Sequence, residues 1–349
     1  MSDARVLALV LLAMPFVPVA AHAQGTPEQD KQVLDEVVVS GEQPGPGLWQ
    51  VKNGANTLWV LGTHSPLPRD MKWRAREVES IIARSALVIA PPDVEVDAEI
   101  GFFGALRLMP AALRARAIPD DKTLSDVLQP ELHARWTALK KRYPSPRKIE
   151  RWRPAIAAFT LYGEALDASR LTANDQVWPT VEKLAKRQDV EIRRPTVRLA
   201  IKDPKGLIKD FAQTDLSRET SCFEGLISRM EHDLPKLQGQ ANAWATGNTA
   251  GLRDIKTDEL QARCIEALMG APKLAAMIED ARRKFRLEVL LAWEGALQRD
   301  SNALAVIPMD ELFSKDGPLN ELRARGYQVI EPECSSSTSR PRIVQNAPP

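Results

Sequence analysis

Cysteine, histidine and aromatic side chains are scarce in this 349-residue chain, and long apolar runs are confined to its first residues. Three cysteines can close at most one intrachain disulfide, with three single pairings open. The four histidines form no H-x-x-x-H pair, and no C-x-x-C occurs, so the usual local zinc signatures are missing. Neither a G-x-S-x-G elbow nor a G-x-x-x-x-G-K-[ST] phosphate loop is present. A formal charge of +1 supplies no global field to draw nucleic acid or an anionic surface. What remains is a globular composition, 44% hydrophobic and 27% charged, with enough apolar surface for a sizeable core.

Residues 1–23 read as a signal peptide. Arg5 is the positive flank, Val6 to Ala20 the apolar run, and Ala21-His22-Ala23 the small-x-small site. Cleavage after Ala23 predicts a mature chain starting at Gln24, periplasmic or secreted. Pro15 and Pro18 break the run, and no later segment holds ~18 consecutive apolar residues, so no stable membrane insertion is expected after cleavage. Residues 24–46 are a linker. Within it, Asp35-Glu36-Val37-Val38-Val39-Ser40-Gly41 resembles a TonB-box-like segment that adds a strand to a TonB-like partner; the plainer reading is a linker carrying a short Val run. Export permits disulfides, and the economical pair is Cys222 with Cys264, leaving Cys334 in the tail 333–349.

The fold class expected is α/β (α+β): a central mixed sheet from two related β-loop-α halves, with an N-terminal β-hairpin and a large helical middle. Leu48–Val51 and Thr57–Leu61 flank the turn signal Asn53-Gly54. Trp73–Arg84 has helical spacing, and Ala86–Ala90 is an apolar run bounded by Pro91-Pro92, as in a buried parallel strand. From Glu99 to about Arg170 the pattern is helical, with Pro110, Pro119, Pro130, Pro144, Pro146 and Pro154 as punctuation. His133 and Trp136 share a helix face there, His133 as a surface or packing group. The basic stretch Lys141–Arg153 reads as a solvated loop. A helix over Pro179–Gln188 and a strand over Val190–Ile192 precede a helical insert from Pro204 to about Ala271, with Trp244 and Leu252 as core candidates. The helix Pro272–Arg299 carries a stripe from Leu274 to Trp293; Ala303–Ile307 is a buried strand, Pro318–Arg325 a helix and Tyr327–Ile330 a last strand.

Three segments carry a family likeness: Gly47-Leu48-Trp49-Gln50-Val51; Leu58-Trp59-Val60-Leu61-Gly62-Thr63 followed by Pro68 and Trp73; and Asp316-Gly317 followed by Leu322-Arg323-Ala324-Arg325-Gly326-Tyr327-Gln328-Val329. On these, residues 47–332 resemble the TraB/GumN family, which is related to the Tiki proteases and grouped with the erythromycin-esterase and ChaN-like fold. The resemblance implies a metal-holding set: G-x-x-H at the first strand end, a glutamate after the next strand, and a second G-x-x-H near the C-terminus. Such an ion lowers the pKa of a bound water and polarises a carbonyl. This chain departs at each point. Ser65 stands at the first histidine with His64 one residue early, Ala90 at the glutamate, Pro308 at the second glycine and Glu311 at the second histidine.

The candidate catalytic residues are therefore His64, Ser65, Asp310 and Glu311, and the ligand cleft is expected at Gly62, Thr63, Ala90, Arg299 and Pro308, with Arg299 pairing the two acids. One histidine with Asp310 and Glu311 is a poor match to a three- or four-ligand site, so no resident metal or other cofactor is expected. The chain reads as an envelope binding or scaffold domain that has lost the family's metallohydrolase chemistry. Its expected partner is an envelope protein, peptide or polysaccharide, not nucleic acid. The alternative is an active metal-dependent hydrolase or peptidase built on a rearranged Gly62–Pro68 loop, and only that reading calls for a divalent metal.

Overall fold

The computed structural model describes residues 45–332 apart from 99, 254–256, 269 and 300–301. The expected signal peptide 1–23, residues 24–44 of the expected linker with Asp35–Gly41, and the expected tail with Cys334 lie outside the described residues.

The strands run β1 Leu48–Asn53, β2 Asn56–Thr63, β3 Leu67–Pro68, β4 Leu87–Ile89, β5 Asp93–Ala98, β6 Leu171–Thr172, β7 Glu191–Arg193, β8 Thr196–Ile201, β9 Asn302–Pro308 and β10 Gln328–Ile330. Six of them form one mixed sheet in the order β10-β1-β2-β9-β4-β7. β1 is antiparallel to β2 and β10, while β2, β9, β4 and β7 are mutually parallel. Strands from both ends of the chain thus close one sheet around the helical middle. β9 sits between β2 and β4, and Ala303 to Ile307 are all no more than 1% exposed. A strand covered on both faces has no use for alternation, which is why its sequence reads as one apolar run.

Asn53 and Asn56 face each other across the hairpin, and Gly54 takes φ 59°, the left-handed conformation the tight turn needs. The amides of both asparagines donate to the Leu297 carbonyl, satisfying an acceptor in the last turn of the helix Pro272–Arg299. That helix packs along β1, β2, β4 and β9, with Val289, Trp293 and Leu297 inside the core.

The helical middle has its own core. Trp136, Phe223 and Leu226 pack with the bonded pair Cys222–Cys264, which ties the helix Thr220–His232 to Thr257–Leu268. Trp244 and Leu252 are buried in the sheet core, as their apolar character predicts.

Three expectations need correction. Pro110 does not break its segment but lies inside the helix Phe102–Ala115. A proline leaves one carbonyl a turn earlier without its amide, and that carbonyl is on Leu106, a residue 54% exposed. β5 and β8 form a parallel pair of their own that the apolar-run criterion missed. Asp93-Val94-Glu95-Val96-Asp97 does alternate with the strand period, but with charges on one face instead of a wholly apolar run. Finally, Arg153 is not part of a solvated loop. It is fully buried, with Nε donating to Glu219 Oε1 at 2.6 Å, Nη2 to the Thr214 carbonyl at 2.7 Å and Nη1 to the Ala212 carbonyl at 3.3 Å. The Ala155 amide donates to the other Glu219 oxygen at 3.0 Å. His133 stays a peripheral group, 3.5 Å from Glu150.

Candidate functional site

The C-terminal ends of β2 and β9 lie side by side, Gly62 opposite Ile307 and Thr63 opposite Pro308. Three of the expected cleft residues therefore meet at one sheet edge, where α/β sheets place ligands. Gly62 is glycine for a packing reason. A Cβ there would stand 2.7 Å from Met309 Cε and Sδ and 2.9 Å from Leu312 Cδ1, on the short helix Met309–Phe313. The Gly62 carbonyl accepts a 2.7 Å hydrogen bond from Nε1 of buried Trp244, whose ring meets Trp73 edge-on at 5.6 Å. The helix Leu234–Ala245 thus closes over this strand end.

Beyond Thr63 the chain is clamped to the segment 171–176. β3 pairs with β6, Gln176 Nε2 donates to the Pro68 carbonyl at 3.0 Å, and Ser65 Oγ donates to the Ala173 carbonyl at 3.2 Å. The Ser65 hydroxyl is exposed and engaged with backbone. His64 is mostly buried, and its Nε2 has no hydrogen-bond partner among the described residues. The two side chains therefore do not make a nucleophile–base hydrogen bond through Nε2.

Burial, and then the positive charge of Arg229, lower the His64 pKa from 6.5 to about 4, so the ring is neutral at pH 7. Arg229, on the helix Thr220–His232, also hydrogen-bonds Tyr162, whose pKa burial raises against the pull of that guanidinium. Arg229 Nε, like His64 Nε2, is buried without a partner. This corner has a neutral imidazole, a phenol and a permanent cation, with the Asp233 carboxylate also acting on the phenol. Such a set suits a water or an anionic oxygen and disfavours a metal cation. Sequence gave no sign of Arg229 or Tyr162, because each lies on a distant helix whose only local signal is its packing.

Glu311 turns to a different neighbourhood. Its pKa is raised, first by burial and then by Asp310, against the pull of Arg286 and Arg282 on the long helix. Asp310 is exposed. Among the described residues, no group of three His, Cys, Asp or Glu is placed to hold a metal ion. His64, Ser65, Ala90, Pro308 and Glu311 therefore do not assemble a three-ligand set among the described residues. Ala90 is buried, its amide donating to the Arg193 carbonyl at 2.9 Å, and its methyl offers no ligand atom.

Arg299 does not join the acids. It precedes β9 while Asp310 and Glu311 follow it, and a seven-residue strand spans about 20 Å. Instead it lines an open cleft of about 720 Å³ with Arg193, Arg194 and Arg198, and with Glu288 and Leu291 of the long helix. Arg194 stacks over Trp178 at 4.9 Å, Arg193 pairs with Glu191 at 3.1 Å and Arg198 with Glu95 at 3.2 Å. These guanidinium groups keep further N–H donors for an acidic ligand.

A family model described as the TraB/PrgY/gumN family matches residues 47–331, most of the chain. No curated protein and no solved structure gives a significant match.

Proposed function

The chain belongs to the TraB/PrgY/gumN family, and from that premise we propose that it is an exported envelope binding or scaffold domain that no longer carries out metal-dependent hydrolysis. The observation that carries this reading is the charge at the two aligned motif positions. His64 is mostly buried and neutral beside Arg229, and Glu311, with Asp310 beside it, faces Arg282 and Arg286. A divalent ion beside His64 would sit against the Arg229 guanidinium, and one at Glu311 would have Asp310 as its second carboxylate with Arg282 and Arg286 opposing it, short of a three- or four-ligand set. The same groups favour an acidic partner, a carboxylate-bearing envelope peptide or polysaccharide, and the arginine-lined cleft offers it a second contact. Export follows from the signal-peptide pattern of residues 1–23.

The test is elemental analysis of protein purified without chelator, followed by peptidase and esterase assays with added Mn²⁺, Co²⁺ or Zn²⁺. The expected result is no stoichiometric metal and no activity above background. Calorimetric titration with an acidic polysaccharide and an acidic peptide is expected to show binding to at least one, weakened in Arg229→Gln. A stoichiometric metal that is lost together with activity in His64→Ala would overturn the reading in favour of the hydrolase.

A further inference from the structure

The helix Phe102–Ala115 is apolar on both sides, and three of its large side chains are exposed. Ala105, Ala112 and Ala115 are buried in a small cluster with Leu207 and Phe211 of the helix Pro204–Ala212. Phe103, Leu106 and Leu113 are 82%, 54% and 44% exposed, three of the six large hydrophobics exposed among the described residues. The helix docks mainly through alanines, with Leu108 packed beside them, while Phe103, Leu106 and Leu113 face solvent, and an exposed apolar patch of this kind marks an interaction surface.

The outward residues form one stripe. At about 100° per residue, Phe103, Leu106, Pro110 and Leu113 fall within an arc of roughly 80°, and Arg107 and Arg114 lie along one border of it. Both arginines are exposed, and the helix contains no aspartate or glutamate. An apolar stripe edged by arginines, with no acidic residue, is the pattern of a helix lying in a bilayer interface, its apolar side chains among the upper acyl chains and its guanidinium groups at anionic phosphates. At 14 residues the helix is about 21 Å long, suited to lying along a membrane surface. No helix among the described residues is long and apolar enough to cross a membrane. A protein partner would have to supply acidic groups along one border only, whereas an anionic lipid surface provides them everywhere.

We propose that the outward face of Phe102–Ala115 is a peripheral membrane-docking site that seats this chain on anionic phospholipid. The proposal takes from the proposed function only export to the envelope, and uses neither the strand-end site nor the arginine cleft.

The experiment is co-sedimentation of the protein, purified as its host exports and processes it, with vesicles of phosphatidylcholine plus phosphatidylglycerol and with phosphatidylcholine alone. Binding is expected to the mixed vesicles and to weaken with salt. Phe103→Ser/Leu106→Ser/Leu113→Ser is expected to lower the partition coefficient at least about tenfold, and Arg107→Glu/Arg114→Glu to abolish the preference for phosphatidylglycerol. All five side chains are exposed, so circular dichroism is expected to show both variants folded. The proposal is overturned if wild-type protein shows no preference for the anionic vesicles, or if the triple variant binds as well as wild type. It is also overturned, in favour of a protein interface, if light scattering shows a dimer that the triple variant dissolves while vesicle binding is absent. Loss of vesicle binding leaves the metal and hydrolase assays untouched, so the two readings fail separately.

Discussion

At the scale of single residues, His64 links structure to a measurable pH response. Its folded pKa is about 4 against 6.5 when unfolded, so between those values the unfolded chain holds a proton that the folded chain does not. The stabilisation is present above pH 6.5 and lost as pH falls towards 4. Its size, discounted for partial exposure, is about 2 kcal/mol. Urea unfolding of wild type and His64→Gln from pH 7 to pH 4 is expected to show the wild type losing that much more stability than the variant. Two motif glycines are distinguished by what surrounds them. A Cβ at Gly62 meets flexible ends of Met309 and Leu312, whereas one at Gly317 would lie 2.1 Å from the Glu311 carbonyl oxygen. Gly62→Ala is expected to cost about 1–2 kcal/mol and Gly317→Ala more, about 3 kcal/mol, because backbone cannot swing aside. Equal losses in a denaturant titration would contradict this account of the Asp316-Gly317 motif.

At the scale of elements, the long helix and the hairpin were legible because periodicity and turn chemistry are local. The stripe from Leu274 to Trp293 and the Asn53-Gly54 signal both correspond to what the structure places there. The β5–β8 pair was not legible, because the two strands are about a hundred residues apart and one carries alternating acids. The disulfide belongs to this scale as well, since it joins two helices of the middle section. Its 42-residue separation corresponds to about 4 kcal/mol in the chain-entropy account. Cys222→Ala/Cys264→Ala is expected to lower stability by about 3–4 kcal/mol, with protection from hydrogen exchange falling first in the helices Thr220–His232 and Thr257–Leu268. Unchanged exchange there would assign the middle section's stability to packing alone.

At the scale of the whole molecule, the described residues form one sheet core and two smaller clusters, and ion pairs join elements that are distant in sequence. The Arg153–Glu219 pair is the most buried ion pair among the described residues, bridging the start of the helix Pro154–Ala168 to the start of Thr220–His232, while Arg153 Nη1 reaches the Ala212 carbonyl at the end of Pro204–Ala212. Arg153→Met alone leaves an uncompensated carboxylate and two unpaired carbonyls, and is expected to cost about 3–5 kcal/mol; adding Glu219→Leu is expected to restore much of it. A chemical denaturation cycle over the four proteins reads the coupling directly.

The sequence by itself determined the order and kind of most elements, the apolar character of β9, and the family likeness of residues 47–331. These are properties of a residue and its neighbours along the chain. Only the tertiary structure decided that Gly62 and Pro308 share a sheet edge while Arg299 lies at the other end of the strand. It alone brought Arg229 to His64 and turned Phe103, Leu106 and Leu113 outward. The physical reason is that charge proximity and exposure depend on which faces pack together, and packing joins residues that local spacing cannot relate.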